Sequence, residues 1–261
     1  MCEECGMHGS VVPGTVTAVC GKGGVGKTVF SALLSRILIE AGISPLLLVD
    51  ADPVGGLTSA IGEKAVHTLA GVRDDFINEA RKNGRAGAEA AADRLDYFVL
   101  KALIERKDYA LLAMGRNTEK GCFCPANKLL RSAIDGLIPA FSAVLIDAEA
   151  GIEQINRDVT GRVTRVVTVV DASKRSMDTL RMIADLVGPA QVAVVVNRVS
   201  NGGEAGLPAD ITLLGSIPEN DLLRQFDRQG RPLWQLPAEN EALAAVRKIA
   251  QRLGITPRKA P

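Results

Sequence analysis

Aromatic residues are scarce in this chain: one Trp, two Tyr and six Phe make up 3% of 261 residues, against 47% hydrophobic residues overall. A core so poor in aromatics is aliphatic, which suits a parallel sheet covered by helices. Charge of one sign is missing as well. The 31 Lys and Arg balance 30 Asp and Glu to a formal net charge of +1, which gives no electrostatic case for nucleic acid as a partner. No apolar run reaches the ~18–20 residues that cross a bilayer, so no membrane partner is expected. The N-terminus, Met1-Cys2-Glu3-Glu4-Cys5, lacks the basic stretch followed by an apolar one that marks a secretory signal. These absences point to a cytoplasmic protein, and the length is within the range of one α/β domain.

What the chain has is alternation. Apolar runs from Thr15 to Cys20, Ser44 to Val49, Phe141 to Ile146, Val163 to Val170, Gln191 to Val196 and Ile211 to Leu214 read as buried strands. Between them lie helical patterns, such as Lys27 to Ala41 with Phe30, Leu33, Leu34, Ile37 and Leu38. Repeated β–α alternation predicts an α/β fold: a doubly wound, mostly parallel sheet flanked by helices, with its site at the carboxyl ends of the strands. The stretch from Ile61 to Leu137 is charged and alanine-rich, with Gly84 and Gly87 as breaks. It reads as helices around one strand, either near Tyr97 to Leu103 or near Tyr109 to Met114, with Glu79 to Arg94 as solvated helix. Residues 15–255 are read as one P-loop NTPase domain, after a flexible extension (1–14) and before a short tail (256–261).

Between the first strand and first helix stands Gly21-Lys22-Gly23-Gly24-Val25-Gly26-Lys27-Thr28, a G-x-x-x-x-G-K-[ST] loop. Its glycines let backbone N–H groups turn toward a polyphosphate, Lys27 reaches the outer phosphates and Thr28 offers a hydroxyl to Mg²⁺. With the helix N-terminus that begins at Lys27 and Val29, this makes an anion site for ATP or ADP. Asp50-Ala51-Asp52-Pro53 and Asp147-Ala148-Glu149-Ala150-Gly151 follow two other buried strands, so their carboxylates stand at the same rim. Asp50 reads as a helix cap or as a second-shell partner of Mg²⁺. Asn197 ends another strand, where its amide can donate to and accept from a base edge.

Lys22 adds a second cation to the loop. The sequence Lys-Gly-Gly-Val-Gly-Lys-Thr resembles the deviant Walker loop of dimeric ATPases that include nitrogenase iron protein, the MinD and ParA positioning ATPases, and metallocentre maturation factors. The resemblance implies a homodimer formed face to face on ATP, in which Lys22 contacts the partner's nucleotide. It also implies catalytic roles for Lys22, Lys27 and Asp52, Mg²⁺ ligation by Thr28, Asp52 and Asp147, and a γ-phosphate response at Gly151. Nucleotide contacts fall to Gly23, Gly24, Val25, Gly26, Lys27, Thr28 and Val29, with Asn197, Ile217, Pro218 and Glu219 around adenine. After Asp52-Pro53 the CooC-like maturation factors among the resembled proteins usually carry an asparagine, whereas Val54-Gly55-Gly56 follows here and implies a looser first switch.

The five cysteines fit a reducing compartment and metal or thiol chemistry better than disulfides. Cys122 and Cys124, one residue apart, suit a soft or borderline ion such as Ni²⁺ or Zn²⁺, and a two-fold dimer would bring four thiolates to one ion. Met114-Gly115-Arg116, Gly121-Cys122-Phe123-Cys124, Asn127 and Leu129-Leu130-Arg131 are similar to the C-x-C segment of CooC-type nickel-insertion ATPases. That resemblance runs from about Val16 to Leu253 and implies an apo carbon monoxide dehydrogenase or related nickel enzyme as client. The alternatives are a MinD/ParA-type positioning ATPase, for which Leu243, Val246, Ile249 and Leu253 offer an apolar helical face, and an electron-transfer ATPase with a bridging [4Fe–4S] cluster. Cys2, Cys5 and His8 read either as a second metal cluster or as a mobile tail, Cys20 as a small core residue and His67 as structural.

Overall fold

The computed structural model describes residues 14–82, 89, 93–116, 124–148, 160–199 and 206–255. Eight strands form one sheet: β1 (Thr15–Cys20), β2 (Leu46–Asp50), β3 (Leu103–Glu105), β4 (Tyr109–Ala113), β5 (Ala143–Asp147), β6 (Arg165–Val170), β7 (Val192–Val199) and β8 (Thr212–Pro218). Their order is β3-β4-β2-β5-β1-β6-β7-β8, and every pairing is parallel except β3 with β4. The expected doubly wound sheet is therefore observed. Strand order reverses on either side of β1, which places a crevice at the carboxyl end of that strand.

Two apolar layers sandwich the sheet, because the strands are buried on both faces and carry aliphatic side chains on both. On one face Val16, Ala18 and Cys20 meet α3 (Leu69–Lys82), α4 (Leu95–Ala102), α5 (Cys124–Leu137) and α6 (Lys174–Val187) through Phe76, Phe98, Ile134 and Leu180. On the other, α1 (Lys27–Glu40), α2 (Gly56–Ala60), α7 (Asp221–Arg228) and α8 (Glu241–Arg252) pack Phe30, Leu33, Leu57, Phe226 and Val246. Phe30 and Leu33 are fully buried, and an α1 side chain of this size contributes roughly 1.5–3 kcal/mol by leaving water. Cys20 lies in this core, as expected.

The departures from expectation have local causes. Of the two stretches offered for a strand, Tyr109 to Met114 forms one, whereas Tyr97 to Ala102 is helical and only Leu103–Glu105 pairs, antiparallel, at the sheet edge. The last strand extends to Pro218, so Ile217 and Pro218 belong to β8 and not to a loop. From Glu79 to Asp93 the described residues are helical, as expected, and Arg94 donates to Glu79 at 2.7 Å. Leu243, Val246, Ile249 and Leu253 of the C-terminal segment are buried against the sheet, which accounts for that apolar face. Among the described residues no helix is long and apolar enough to cross a membrane.

Candidate functional site

The phosphate loop leaves β1 at Gly21 and enters α1 at Lys27. Gly24 and Gly26 take φ of +81° and +95°, a region that favours glycine. A Cβ on Gly26 would also stand 2.3 Å from Asn197 Nδ2. Asn197 explains this closeness: its Nδ2 donates to the Val25 carbonyl at 2.7 Å, and its Oδ1 accepts from the Arg198 N–H at 3.0 Å. The amide that the sequence offers to a base edge also braces the phosphate loop. Lys27, only 8% exposed, donates from Nζ to the Lys22 carbonyl at 3.1 Å, so it lies folded along its own loop.

Two acidic strand ends complete the rim. Asp147 Oδ2 accepts from Thr28 Oγ1 at 2.7 Å and its Oδ1 from Ser31 Oγ at 2.8 Å. Burial pushes its carboxyl up to about 6, opposed by those two hydroxyls and by Lys27, and reinforced by Asp50. A hydroxyl and a carboxylate in contact at the end of a phosphate loop are the donor set a hard divalent cation uses, so Thr28 and Asp147 fit Mg²⁺. Asp50 Oδ2 accepts from the Thr58 N–H at 2.7 Å and from Thr58 Oγ1 at 2.6 Å, which ties it to α2. Burial raises its carboxyl as well.

Asp52 lies closer to the open side. Its Oδ1 accepts from the Val54 N–H at 2.8 Å, in a tight turn closed by Gly55 N–H to the Asp52 carbonyl at 3.0 Å. The glycines that follow it have defined places. Gly55 takes φ +81° to start α2, and a Cβ on Gly56 would stand 3.1 Å from Asp52 Oδ2 and 3.5 Å from Thr28 Oγ1. Gly56 therefore keeps open the space between Asp52 and Thr28. Sequence reasoning missed this use of Gly56, and also the Asn197 brace, because both depend on contacts across the fold.

The proposed adenine side is divided. Ile217 is buried in the core beside Asn197, its register partner across β7 and β8. Glu219 is paired with Arg224 at 2.6 Å, and Asn220 caps α7 by accepting from the Leu223 N–H. Cys124 opens α5, while Cys122, Gly151, and the Cys2, Cys5 and His8 set lie outside the described residues. Among the described residues no group of three or more His, Cys, Asp and Glu could hold a metal ion. The approach to the thiol pair is nonetheless tied to the rim: Met114 N–H donates to the Asp50 carbonyl and Ala70 N–H to the Met114 carbonyl, both at 2.8 Å.

With that geometry in place, comparison with known proteins is informative. The profile described as the CobQ/CobB/MinD/ParA nucleotide binding domain matches residues 16–233. An uncharacterized ATP-binding protein of Methanocaldococcus jannaschii is 34% identical over 248 residues, covering 91% of this chain and 98% of the relative. The carbon monoxide dehydrogenase accessory protein CooC of Rhodospirillum rubrum is 29% identical over 257 residues, covering 92% and 97%. Among solved structures, the MinC:MinD cell division complex of Aquifex aeolicus superposes with a TM-score of 0.66 at 21% identity, covering 95% of this chain and 98% of that one. The structural likeness speaks to the fold alone.

Proposed function

The chain belongs to the CobQ/CobB/MinD/ParA nucleotide-binding family, and from that premise we propose that it is an ATP-driven metallochaperone that dimerises and delivers nickel to carbon monoxide dehydrogenase or a related nickel enzyme. The observation that carries this reading is the course of the chain after β4. It passes beside Asp50 through Met114 and Gly115, and then runs on to Cys122 and to Cys124 at the start of α5. A nucleotide-sensing rim and a thiolate pair are thus consecutive parts of one segment. The overall likeness to CooC supports the same client class.

In this reading the backbone N–H groups of residues 23–29 cradle ATP, and Lys27 exchanges the Lys22 carbonyl for the outer phosphates. A divalent cation held by Thr28 and Asp147 would offset phosphate charge. Asp52 orients the attacking water, a positioning role of the kind that dominates phosphoryl transfer. ATP closes two subunits, and Cys122 and Cys124 of both surround one Ni²⁺ or Zn²⁺ as cargo. Slow hydrolysis opens the dimer and releases the ion. Because linkage is reciprocal, the metal also favours the dimer. A positioning ATPase requires a membrane or polymer contact surface, and the apolar face of α8 is already spent on the core.

Metal content and mass of the purified protein test the proposal, wild type against Cys122→Ala/Cys124→Ala, with Ni²⁺ and with Zn²⁺ in the presence of ATP. The expected result is one ion per dimer in the wild type and none in the variant, with ATP still bound by both. Equal metal in both proteins would move the site to Cys2, Cys5 and His8. No metal in either would sink the chaperone reading and leave a nucleotide switch without cargo.

A further inference from the structure

Lys22 and Asp171 leave the carboxyl ends of neighbouring parallel strands. β1 and β6 pair with Cys20 opposite Thr168, and Gly21 then runs so close to β6 that a Cβ there would stand 2.3 Å from the Val169 carbonyl oxygen. Lys22 follows that contact directly, and Asp171 is the first residue beyond β6. The aspartate is held firmly. Its Oδ1 accepts from the Ser173 N–H at 3.1 Å, from Ser173 Oγ at 2.5 Å and from Ser176 Oγ at 2.5 Å, at the N-terminus of α6 that Ser173 caps. Burial works against its charge, yet these bonds and the nearby Lys22 ammonium bring its carboxyl down to about 2. A fixed anion thus stands at the next strand end, beyond direct ion-pair contact but close enough to act on the one lysine that the ATPase dimer would need elsewhere.

We propose that Asp171 is the resting counter-ion of Lys22, holding the lysine on its own subunit until a partner's nucleotide replaces it. The proposal rests on the ATP-dependent dimer argued above. Its physical content is a difference between two states: closing the dimer separates Lys22 from Asp171, and only a nucleotide with its full phosphate charge offsets that loss. Asp171 is then a positioning residue that sets how strongly ATP is preferred over ADP for dimer formation, without touching the nucleotide of its own subunit.

The test is sedimentation velocity of the full chain over a range of protein concentrations, with a non-hydrolysable ATP analogue or with ADP. Asp171→Asn keeps an Oδ1 acceptor for Ser173 and Ser176, so the cap of α6 survives. It is expected to dimerise at roughly two- to fivefold lower protein concentration than the wild type, the size of one partly exposed charge pair, and to narrow the gap between ATP analogue and ADP. Asp178→Asn, which removes an exposed charge from the same helix, is expected to match the wild type. Lys22→Ala is expected to stay monomeric in either background.

Wild-type behaviour of Asp171→Asn, weaker dimers, or an equal gain from Asp178→Asn would each overturn the proposal. If the wild type stays monomeric with the ATP analogue, the dimer reading itself falls, and the pairing is then decided on the nucleotide-free monomer. There, carboxyl NMR should show the Asp171 titration midpoint moving upward in Lys22→Ala. An unmoved midpoint would end the proposal on its own terms.

Discussion

Asp50 and Asp147 stand opposite one another in register at the carboxyl ends of β2 and β5, and both are essentially removed from water. Hydroxyl groups, not cations, satisfy them: Thr58 for Asp50, and Thr28 with Ser31 for Asp147. Two buried carboxylates side by side destabilise the folded chain: burial raises the proton affinity of both, and Asp50 raises that of Asp147 further. Such a site costs stability when empty and is relieved by a cation, which is the trade that a switch built on bound nucleotide requires.

The pH dependence follows from the sign of that shift. Asp147 binds its proton more tightly folded, to about 6, than unfolded, near 3.8. Its penalty is therefore absent below pH ~4, grows as pH rises to ~6 and is constant above. Asp147→Asn, without metal or nucleotide, should be more stable than the wild type by about 3 kcal/mol at pH 8 and equal to it at pH 4. Chemical denaturation at several pH values measures the gap. A variant less stable at pH 8, or a gap that ignores pH, contradicts the assignment. The same variant should lose at least about tenfold in Mg²⁺–nucleotide affinity, since a charged ligand has been made neutral.

Asn197 offers a sharper test of how the phosphate loop is held. Asn197→Ala leaves the buried Val25 carbonyl unpaired, a loss of about 1–2 kcal/mol. Part of it should appear as roughly tenfold weaker ATP binding to a loop that is no longer braced. Gly26→Ala should abolish binding, since it places a methyl against Asn197 Nδ2 and strains a φ of +95°. Unchanged affinity in Asn197→Ala, measured by calorimetry, would mean that neither a brace on the loop nor a contact of the amide with the base contributes to binding.

Much of this was legible in the sequence, and the boundary between what was and was not is physical. The loop from Gly21 to Thr28, and the strands ending at Asp50 and Asp147, follow from local spacing and from aliphatic runs that suit only buried strands. The helix over Tyr97 to Ala102 competed with a strand because a short apolar run has no periodicity to separate the two, and the packing of Phe98 and Val99 against α3 and α5 decided it. Gly56 and Asn197 carry no local signature. Their roles arise where α2 crosses Thr28 and where β7 ends beside Val25, contacts between residues far apart in the chain.

Gly115 joins the rim to the thiol segment. It adopts φ +71°, and a Cβ there would stand 2.3–2.8 Å from the side chain of Thr68. Gly115→Ala should cost about 2 kcal/mol or more through strain and overpacking together, and Thr68→Ala should recover part of it by removing Oγ1 and Cγ2. Urea melts of the two single variants and the double give the coupling directly. Simple additivity would mean that the two residues do not press on one another.

Thr168 places a hydroxyl among carbon in the middle of the sheet. It is fully buried on β6, paired with Cys20 on one side and Val194 on the other, and its Oγ1 has no hydrogen-bond partner among the described residues. A buried hydroxyl without a partner costs about 1–3 kcal/mol. Thr168→Val removes it and keeps the β-branched shape that the strand favours, so the urea midpoint should rise by the equivalent of about 1 kcal/mol at an unchanged denaturant slope. A lower midpoint would mean that the hydroxyl is satisfied in the intact protein, by water or by a residue beyond those described. Nucleotide affinity should not change, because Thr168 touches none of the groups that line the phosphate loop.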